Sequence, residues 1–584
     1  MATSLETVPL LRLAAAQINP VVGDLLGNAE RVLSALGRAE AAGVDLVAFP
    51  ELVLTGYPPE DLLLKDGFVD DAVAVLERVA AATGDCVAII GAVVPEGYGG
   101  LRLAEPADAR PHARRPLANA AVVCHRGRVV EVVPKRLLPN YAVFDERRWF
   151  LPGSGNSSLF RIAGGIVGVV VCEDLWSAAG PGRELAEQGA QLLVSLNASP
   201  FALGQGAERR AVLSARVAET GAAILYVNQV GGQDELVFDG ASVLLDDTGQ
   251  LVASSPSFVE DLLLAVLEVH GSELEVTEAV HELSSHPRRQ GPADLGEVAT
   301  PLSEEAEVYA ALVLATRDYL GKNGFRSAVI GLSGGIDSTL VAAIAVDALG
   351  PDNVRGVSMP SRYSSEHSRS DAEDLAARLG IRIDTVPIEP AHGAYAKMLA
   401  GVLGAEPTGL TDENLQSRLR GVLLMAVSNE TGAMVLTTGN KSEMATGYST
   451  LYGDSAGGYA VIKDVPKTLV YDLCRHRNEV ARRAGEVEPI PVAVIEKPPS
   501  AELRPDQLDV DSLPAYELLD PILAAYVEGD RTVPELIAEG HDPELVARVA
   551  RLVDLAEYKR RQNPPGVKIT TKAFGKDRRM PITN

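Results

Sequence analysis

The segment Gly331-Leu-Ser-Gly-Gly-Ile-Asp-Ser338 has the residue types needed to hold a polyphosphate. Gly334 and Gly335 let the backbone approach a ligand closely and tolerate positive φ. Bare N–H groups at a glycine turn opening a helix converge on an anion, and the helix dipole favours its charge. The common phosphate loop ends in Gly-Lys-Ser/Thr, whereas here an acid, Asp337, stands between Ile336 and Ser338. An acid beside a polyphosphate repels it unless a cation lies between them, so Asp337 implies bound magnesium. The plainer alternative is an ordinary glycine turn in an α/β domain. A second set of residues lies in the first half of the chain. Cys172 stands where the apolar run GIVGVVV stops, Glu51 ends the run DLVAFPE, and Lys135 follows VVEVVPK. A cysteine reacts as its thiolate and needs a base or a cation beside it, but linear spacing cannot reveal that neighbour. Taken singly, these residues also read as a half-buried cysteine, a strand-end acid and a solvated lysine.

The elements that must position them alternate between strand-like and helix-like segments. LLRLAAAQIN and VDLVAFPE read as strands around the helical NAERVLSALGRAEAAG, and GIVGVVV, QLLVSLN and AAILYVN follow as further strands. Short apolar runs with polar ends fit an α/β architecture whose chemistry sits at strand termini. A turn signal at Asp246–Gln250 predicts a hairpin near the end of this half. From His270 to Ser303 the pattern gives way to acids, histidines, Pro287 and Gly291-Pro292, which reads as a linker. Beyond it, SEEAEVYAALVLATRDYLGKNG is helical, Ser327–Leu332 is a buried strand, and Ser338–Leu349 is predicted as the helix after the glycine loop. The units NVRGVSMP, SSEHSRSDAEDLAARLG and IRIDTVPI continue the alternation, which implies a parallel sheet with ligands at strand C-terminal ends. Two catalytic domains are expected, 1–270 and 304–584, joined by 271–303.

At 584 residues the chain is too long for one core. Its 46% apolar and 23% charged composition is that of an ordinary globular protein. A net charge of −26 argues against unspecific binding to nucleic acid or acidic membranes. No apolar run is long enough to span a membrane. Four cysteines give neither a disulfide framework nor a CxxC metal pair, which points to a reducing cytoplasm.

The Ser-Gly-Gly-X-Asp-Ser string resembles the pyrophosphate loop of the ATP pyrophosphatases, which activate a carboxyl or carbonyl group as an adenylate. FPELVLTGYPPEDLL, PKRLLPNYAVFDERRWF and VVVCEDLW resemble the three signature segments of the nitrilase superfamily. That likeness implies an α-β-β-α sandwich and a Glu–Lys–Cys triad at Glu51, Lys135 and Cys172, with Glu146 as the second glutamate often found there. The match narrows to the glutaminase branch, in which Tyr141 and Ser199 would contact glutamine. Family members often carry a basic residue six positions after that serine. Here Gln205 stands in its place, with Arg209 or Arg210 as alternative sources of charge.

The second half resembles the NAD synthetases through LTDENLQSRLRG, AMVLTTGNKSEMATGYSTLYGD, EKPPSAELRPDQ and the basic tail RQNPPGVKITTKAFGKDRRMPI. The likeness implies a Rossmann-like ATP pyrophosphatase domain. In it Gly331, Leu332, Ser333, Gly334, Gly335, Ile336, Asp337 and Ser338 would hold ATP phosphates, and Thr438 and Ser500 would touch ATP. Asp337 and Glu443 would bind magnesium. Asn414, Glu443 and Lys572 would contact deamido-NAD, with Asp454 and Lys467 as weaker candidates and Lys568 and Lys576 close to Lys572. Together the two halves imply the glutamine-dependent branch of that family. Its reaction turns deamido-NAD, ATP, glutamine and water into NAD, AMP, pyrophosphate and glutamate, and its members tend to form homo-oligomers. A synthetase acting on another acceptor, such as a GMP-synthetase-like enzyme, and a nucleotide-binding regulator are the rival readings.

Overall fold

The computed structural model describes residues 10–104, 114–154, 158–269, 280–289 and 296–583. The chain divides into two compact units, one of Met1–Gln233 with Phe238–Leu302, the other of Asp234–Val237 with Ser303–Asn584.

The first unit is an α-β-β-α sandwich. One sheet orders its strands Asp261–Glu268, Leu10–Gln17, Leu46–Ala48, Val87–Pro95, Leu117–His125, Arg128–Pro134. The other runs Leu251–Ser254, Val243–Leu245, Ala223–Asn228, Leu192–Asn197, Gly165–Val171, Leu159–Ile162, Val280–Glu282. Each inner strand is apolar on both faces because both are covered. Leu11, Leu13 and Ala15 point into the core between the sheets, where Val167, Val169 and Val171 meet them. Ala14 and Ala16 of the same strand face the other way, onto the helices Leu25–Ala42 and Asp66–Ala81. Ile166 and Val170 likewise face outward onto Leu185, Leu213 and Val217. Period-two alternation thus sends one strand into two cores.

The predicted hairpin is present, with Val243–Leu245 and Leu251–Ser254 paired antiparallel. Part of the stretch read as a linker is ordered. Val280–Glu282 adds a parallel edge strand to Leu159–Ile162, and the Arg288 N–H donates to Asp45 Oδ1 at 2.7 Å. Residues 270–279 and 290–295 of that stretch lie outside the described residues.

The second unit is built on a five-stranded, all-parallel sheet: Arg382–Thr385, Val354–Ser358, Ala328–Gly331, Met434–Thr437, Tyr459–Ala460. The chain starts at the central strand, Ala328–Gly331, moves outward on one side, then crosses to the other. The order therefore reverses at that strand's C-terminal end, where α/β sheets open a crevice for ligands. The helix after it spans Ile336–Leu349 and begins two residues earlier than the sequence suggests. Asp337 consequently sits in the first helical turn, where the macrodipole favours an acid.

Gly91, in the strand Val87–Pro95, marks how tightly the first unit packs behind Glu51. A Cβ there would lie 2.2 Å from the Pro50 carbonyl oxygen and 2.5 Å from the Leu52 nitrogen, both backbone atoms. Gly91→Ala is expected to destabilise this unit by about 1–3 kcal/mol, the usual cost of overpacking. Both tryptophans of the chain, Trp149 and Trp176, belong to the first unit, so tryptophan emission during guanidinium unfolding reads this directly. An unchanged midpoint would mean that the backbone at Pro50–Leu52 yields freely.

Candidate active site

In the first unit, four segments bring their ends together. Glu51 follows the strand Leu46–Ala48, Lys135 follows Arg128–Pro134, and Cys172 follows Gly165–Val171. Glu146 enters on a 3₁₀ turn, Glu146–Arg148. The Lys135 ammonium donates to Glu51 Oε1 at 2.7 Å and to Glu146 Oε1 at 2.9 Å, with the lysine and Glu51 side chains 0% exposed. Tyr57 donates its hydroxyl to the same Glu146 oxygen at 2.9 Å. Glu51 Oε1 also accepts from Asn119 Nδ2 at 2.6 Å, and Oε2 accepts the Ala198 N–H at 3.1 Å.

The electrostatics follow from this dry geometry. Burial opposes the charge on Lys135, yet Glu146, Glu51 and Cys172 outweigh it and hold the ammonium well above its ordinary range. Burial pushes the Glu146 carboxyl up to about 7, against the pull of Lys135 and with the help of Glu51. Burial and then the Glu51 charge raise the Cys172 thiol well above its ordinary value. The resting cysteine is therefore a neutral thiol that needs a base at the moment of attack. Its backbone, at φ 47° and ψ −102°, sits on a strained strand-to-helix turn. The Cys172 N–H is fixed by donating to the Leu196 carbonyl at 2.9 Å.

Tyr141 is half exposed and donates its hydroxyl at 3.0 Å to Glu173, the residue after Cys172. Ser199 adjoins Ala198 and is fastened by donating its N–H to Asn228 Oδ1 at 2.9 Å. Gln205 opens the helix Gln205–Thr220. Arg209, considered above as a source of positive charge, is committed to an internal partner. Its guanidinium grips Asp239 with two bonds of 2.9 Å and lies over the Tyr226 ring, while Arg210 points to solvent. Asn119 and Tyr57 escaped the sequence reading. A lone polar residue inside the apolar run LANAAVV was the signal for Asn119.

The second unit holds a cavity of about 840 Å³ at the C-terminal end of its central strand. Gly331, Leu332, Ser333, Gly335, Ile336, Asp337 and Ser338 line it, with Asn414, Thr438, Glu443, Asp454, Lys467 and Ser500. Gly334 turns the loop at φ +74°, where a Cβ would lie 2.1 Å from the Ser368 carbonyl oxygen. The loop holds its own shape: the Gly335 N–H donates to Ser333 Oγ at 3.1 Å, and the Ser338 and Thr339 hydroxyls each donate to the Gly335 carbonyl at 2.9 Å. Asn414 accepts the Thr450 hydroxyl at 2.8 Å. Asp454 accepts the Thr450 N–H at 2.7 Å. Ser500 donates to the Gln507 carbonyl, shaping the segment 497–507 along the cavity.

Asp337 and Glu443 converge at the loop. Asp337 Oδ1 accepts from Asn440 Nδ2 at 3.0 Å, and its other oxygen pairs with the Lys467 ammonium. Glu443 Oε1 lies 3.9 Å from that ammonium. Burial and the Asp337 charge raise the Glu443 carboxyl well above its ordinary value, against the pull of Lys467. Two mutually repelling carboxylates at a phosphate loop are the oxygen donors a hard cation takes. Among the described residues no cluster of three or more His, Cys, Asp or Glu side chains could hold a metal. Two protein ligands suit magnesium, which keeps waters and phosphate oxygens in its shell. Lys572 is not among the described residues that line the cavity, and its ammonium pairs with Asp530. Lys568 is likewise held, by Asp577 at 2.6 Å.

Comparison with known proteins agrees with this geometry. Residues 12–273 match the carbon-nitrogen hydrolase family and residues 308–563 match the NAD synthase family. The glutamine-dependent NAD(+) synthetase of Rhodobacter capsulatus is 47% identical over 578 residues, covering 98% of each chain. That of Xanthomonas campestris is 44% identical over 586 residues, covering 100% of this chain and 99% of its own. Among solved structures, the glutamine-dependent NAD+ synthetase of Acinetobacter baumannii, in complex with ADP, superposes with a TM-score of 0.73 at 37% identity, covering 98% of this chain and 99% of that one. The enzyme from Cytophaga hutchinsonii, at 21% identity and a TM-score of 0.79 over 98% of each chain, shares the fold. With a buried Glu–Lys–Cys constellation in one unit and an acidic glycine loop in the other, this chain belongs to the glutamine-dependent NAD(+) synthetases.

Proposed function

We propose a division of labour for this ATP-dependent amidation of deamido-NAD. Residues 1–270 free ammonia from glutamine, and residues 304–584 build and consume an acyl adenylate. The observation that supports the reading is the buried Lys135 ammonium 2.7 Å from Glu51, with Cys172 buried at the end of the strand Gly165–Val171.

In the first unit the thiol loses its proton to Glu51 as Sγ bonds to the glutamine amide carbon. The carbonyl electron pair moves onto oxygen, and the Lys135 ammonium stabilises that oxyanion. On collapse the C–N bond breaks, Glu51 returns the proton to nitrogen, and ammonia leaves behind a thioester on Cys172. Glu51 then takes a proton from water, whose oxygen attacks the thioester carbon; the C–S bond breaks, glutamate leaves, and Glu51 returns the proton to Sγ. Glu146 orients the ammonium it shares with Glu51, while Tyr141, Ser199 and Gln205 border the glutamine.

In the second unit a nicotinate oxygen attacks the ATP α-phosphorus, and the bond to the departing pyrophosphate breaks. Loop amides of 331–338, with Thr438 and Ser500, hold the nucleotide. Asp337 and Glu443 would hold magnesium, whose charge neutralises the phosphates. Ammonia then attacks the acyl carbon, and AMP leaves. Asn414 and Glu443 face deamido-NAD, and Lys572 joins them only on leaving Asp530. A cytoplasmic setting is supported by four unpaired, buried cysteine thiols. Assembly into a homo-oligomer is supported by the bare apolar side chains Met398 and Val402, 71% and 82% exposed on one helix.

Replacing Cys172 by Ala should abolish glutamine-supported NAD formation and leave ammonia-supported formation largely intact, in an assay supplying glutamine or ammonium chloride in turn. Equal loss of both activities would refute the division of labour. Asp337→Asn should suppress synthesis from either nitrogen source, by about 10- to 100-fold if second-unit chemistry rests on that charge. Raised magnesium should restore part of it, whereas near-normal turnover at ordinary magnesium would remove Asp337 from the metal site.

A further inference from the structure

The geometry points to Asn119 as a positioning residue that decides which oxygen of Glu51 takes the Cys172 proton, an inference resting on the reading of Glu51 as the base. Asn119 lies in the strand Leu117–His125, and its carbonyl accepts the Lys135 N–H at 2.8 Å. The two residues are therefore cross-strand neighbours, and both side chains end on the same oxygen, Glu51 Oε1, at 2.6 and 2.7 Å. Two short hydrogen bonds, one from an ammonium, occupy that oxygen. Oε2 accepts one weaker bond, from the Ala198 N–H at 3.1 Å, and so keeps a lone pair for a proton.

The amide's orientation is informative in itself. Asn119 is 0% exposed, and its Oδ1 is buried with no hydrogen-bond partner. An orphaned buried acceptor costs free energy, so the amide is turned by its bond to Glu51 and by nothing else. The reverse orientation would press Oδ1 against a carboxylate at the same short distance. Because the amide nitrogen cannot accept a proton, Asn119 holds Oε1 without competing for what Glu51 must carry. Lys135 then keeps its charge for the oxyanion, and the proton travels from Sγ to Oε2 and on to the departing nitrogen.

The test compares Asn119→Leu, which keeps the branched four-heavy-atom outline of the amide, with Asn119→Val, which has one heavy atom fewer and suits a strand. Both lack the donor. Glu51→Gln is measured alongside. Glutamine hydrolysis, ammonia-supported synthesis and tryptophan-reported unfolding are followed on the full chain. A lost positioning bond predicts that glutamine turnover falls about 10- to 100-fold in both variants. KM should stay within about twofold, as for an interaction made in the transition state, with ammonia-supported synthesis retained. Near-normal turnover in Asn119→Leu, beside an inactive Glu51→Gln, would overturn the role of Asn119 alone. Hydrolysis that survives in Glu51→Gln would overturn the base itself. A loss that follows side-chain volume, or a KM raised more than about tenfold with a lowered unfolding midpoint, would make Asn119 a packing residue and overturn the proposal.

Discussion

A lysine ammonium held between two carboxylates is the interaction on which both sites depend. Lys135 bridges Glu51 and Glu146 in the first unit, and Lys467 pairs with Asp337 and approaches Glu443 in the second. Taking one such ion out of water costs several kcal/mol unless it is paired, and removing one partner leaves the rest uncompensated. The two sites differ in how far they close. Around Lys135 the side chains are at most 3% exposed, whereas Asp337 and Glu443 keep 18% and 17% of their surface open beside the cavity. The closed triad suits a reaction that must hold a proton and an oxyanion away from solvent. The open pair suits a site that admits a nucleotide.

Position follows from the sheets. Glu51 and Cys172 are delivered by ends of buried parallel strands, whose backbone is fixed on both sides by hydrogen bonds and on both faces by packing. Glu51 takes the Ala198 N–H beyond the strand Leu192–Asn197, and Cys172 donates its own N–H to Leu196. The same short strand therefore registers base and nucleophile against each other. In the second unit the switch point of the sheet does comparable work, since the reversal of strand order leaves the glycine loop without a neighbour above it.

Much of this was legible in the sequence. Apolar runs such as GIVGVVV and QLLVSLN became the strands they resemble, because strands covered on both faces need uninterrupted apolar residues. Val280–Glu282 was hidden, since a three-residue edge strand bearing His281 and Glu282 has no apolar signature; its pairing with Leu159–Ile162 supplies what composition does not. The helix after the glycine loop starts at Ile336 because an acid in a first turn extends a helix where linear reading ends it at the glycine-rich stretch. Arg209 looked available because its partner, Asp239, is 30 residues distant and meets it only in the fold. Lys572 is drawn to Asp530 by the same kind of tertiary pairing. Asn119 left only the trace of one amide in an apolar strand.

The claim that buried charge balance governs the first site is tested most directly by a double-mutant cycle on Lys135 and Glu146. Unfolding would be followed by the emission of Trp149 and Trp176 for the wild type, Lys135→Met, Glu146→Gln and the double variant. Lys135→Met alone should cost about 3–5 kcal/mol, because it leaves two carboxylates face to face without a counter-ion. Adding Glu146→Gln should return part of that loss by removing one of the stranded charges. Strictly additive costs, with no recovery in the double variant, would contradict the account.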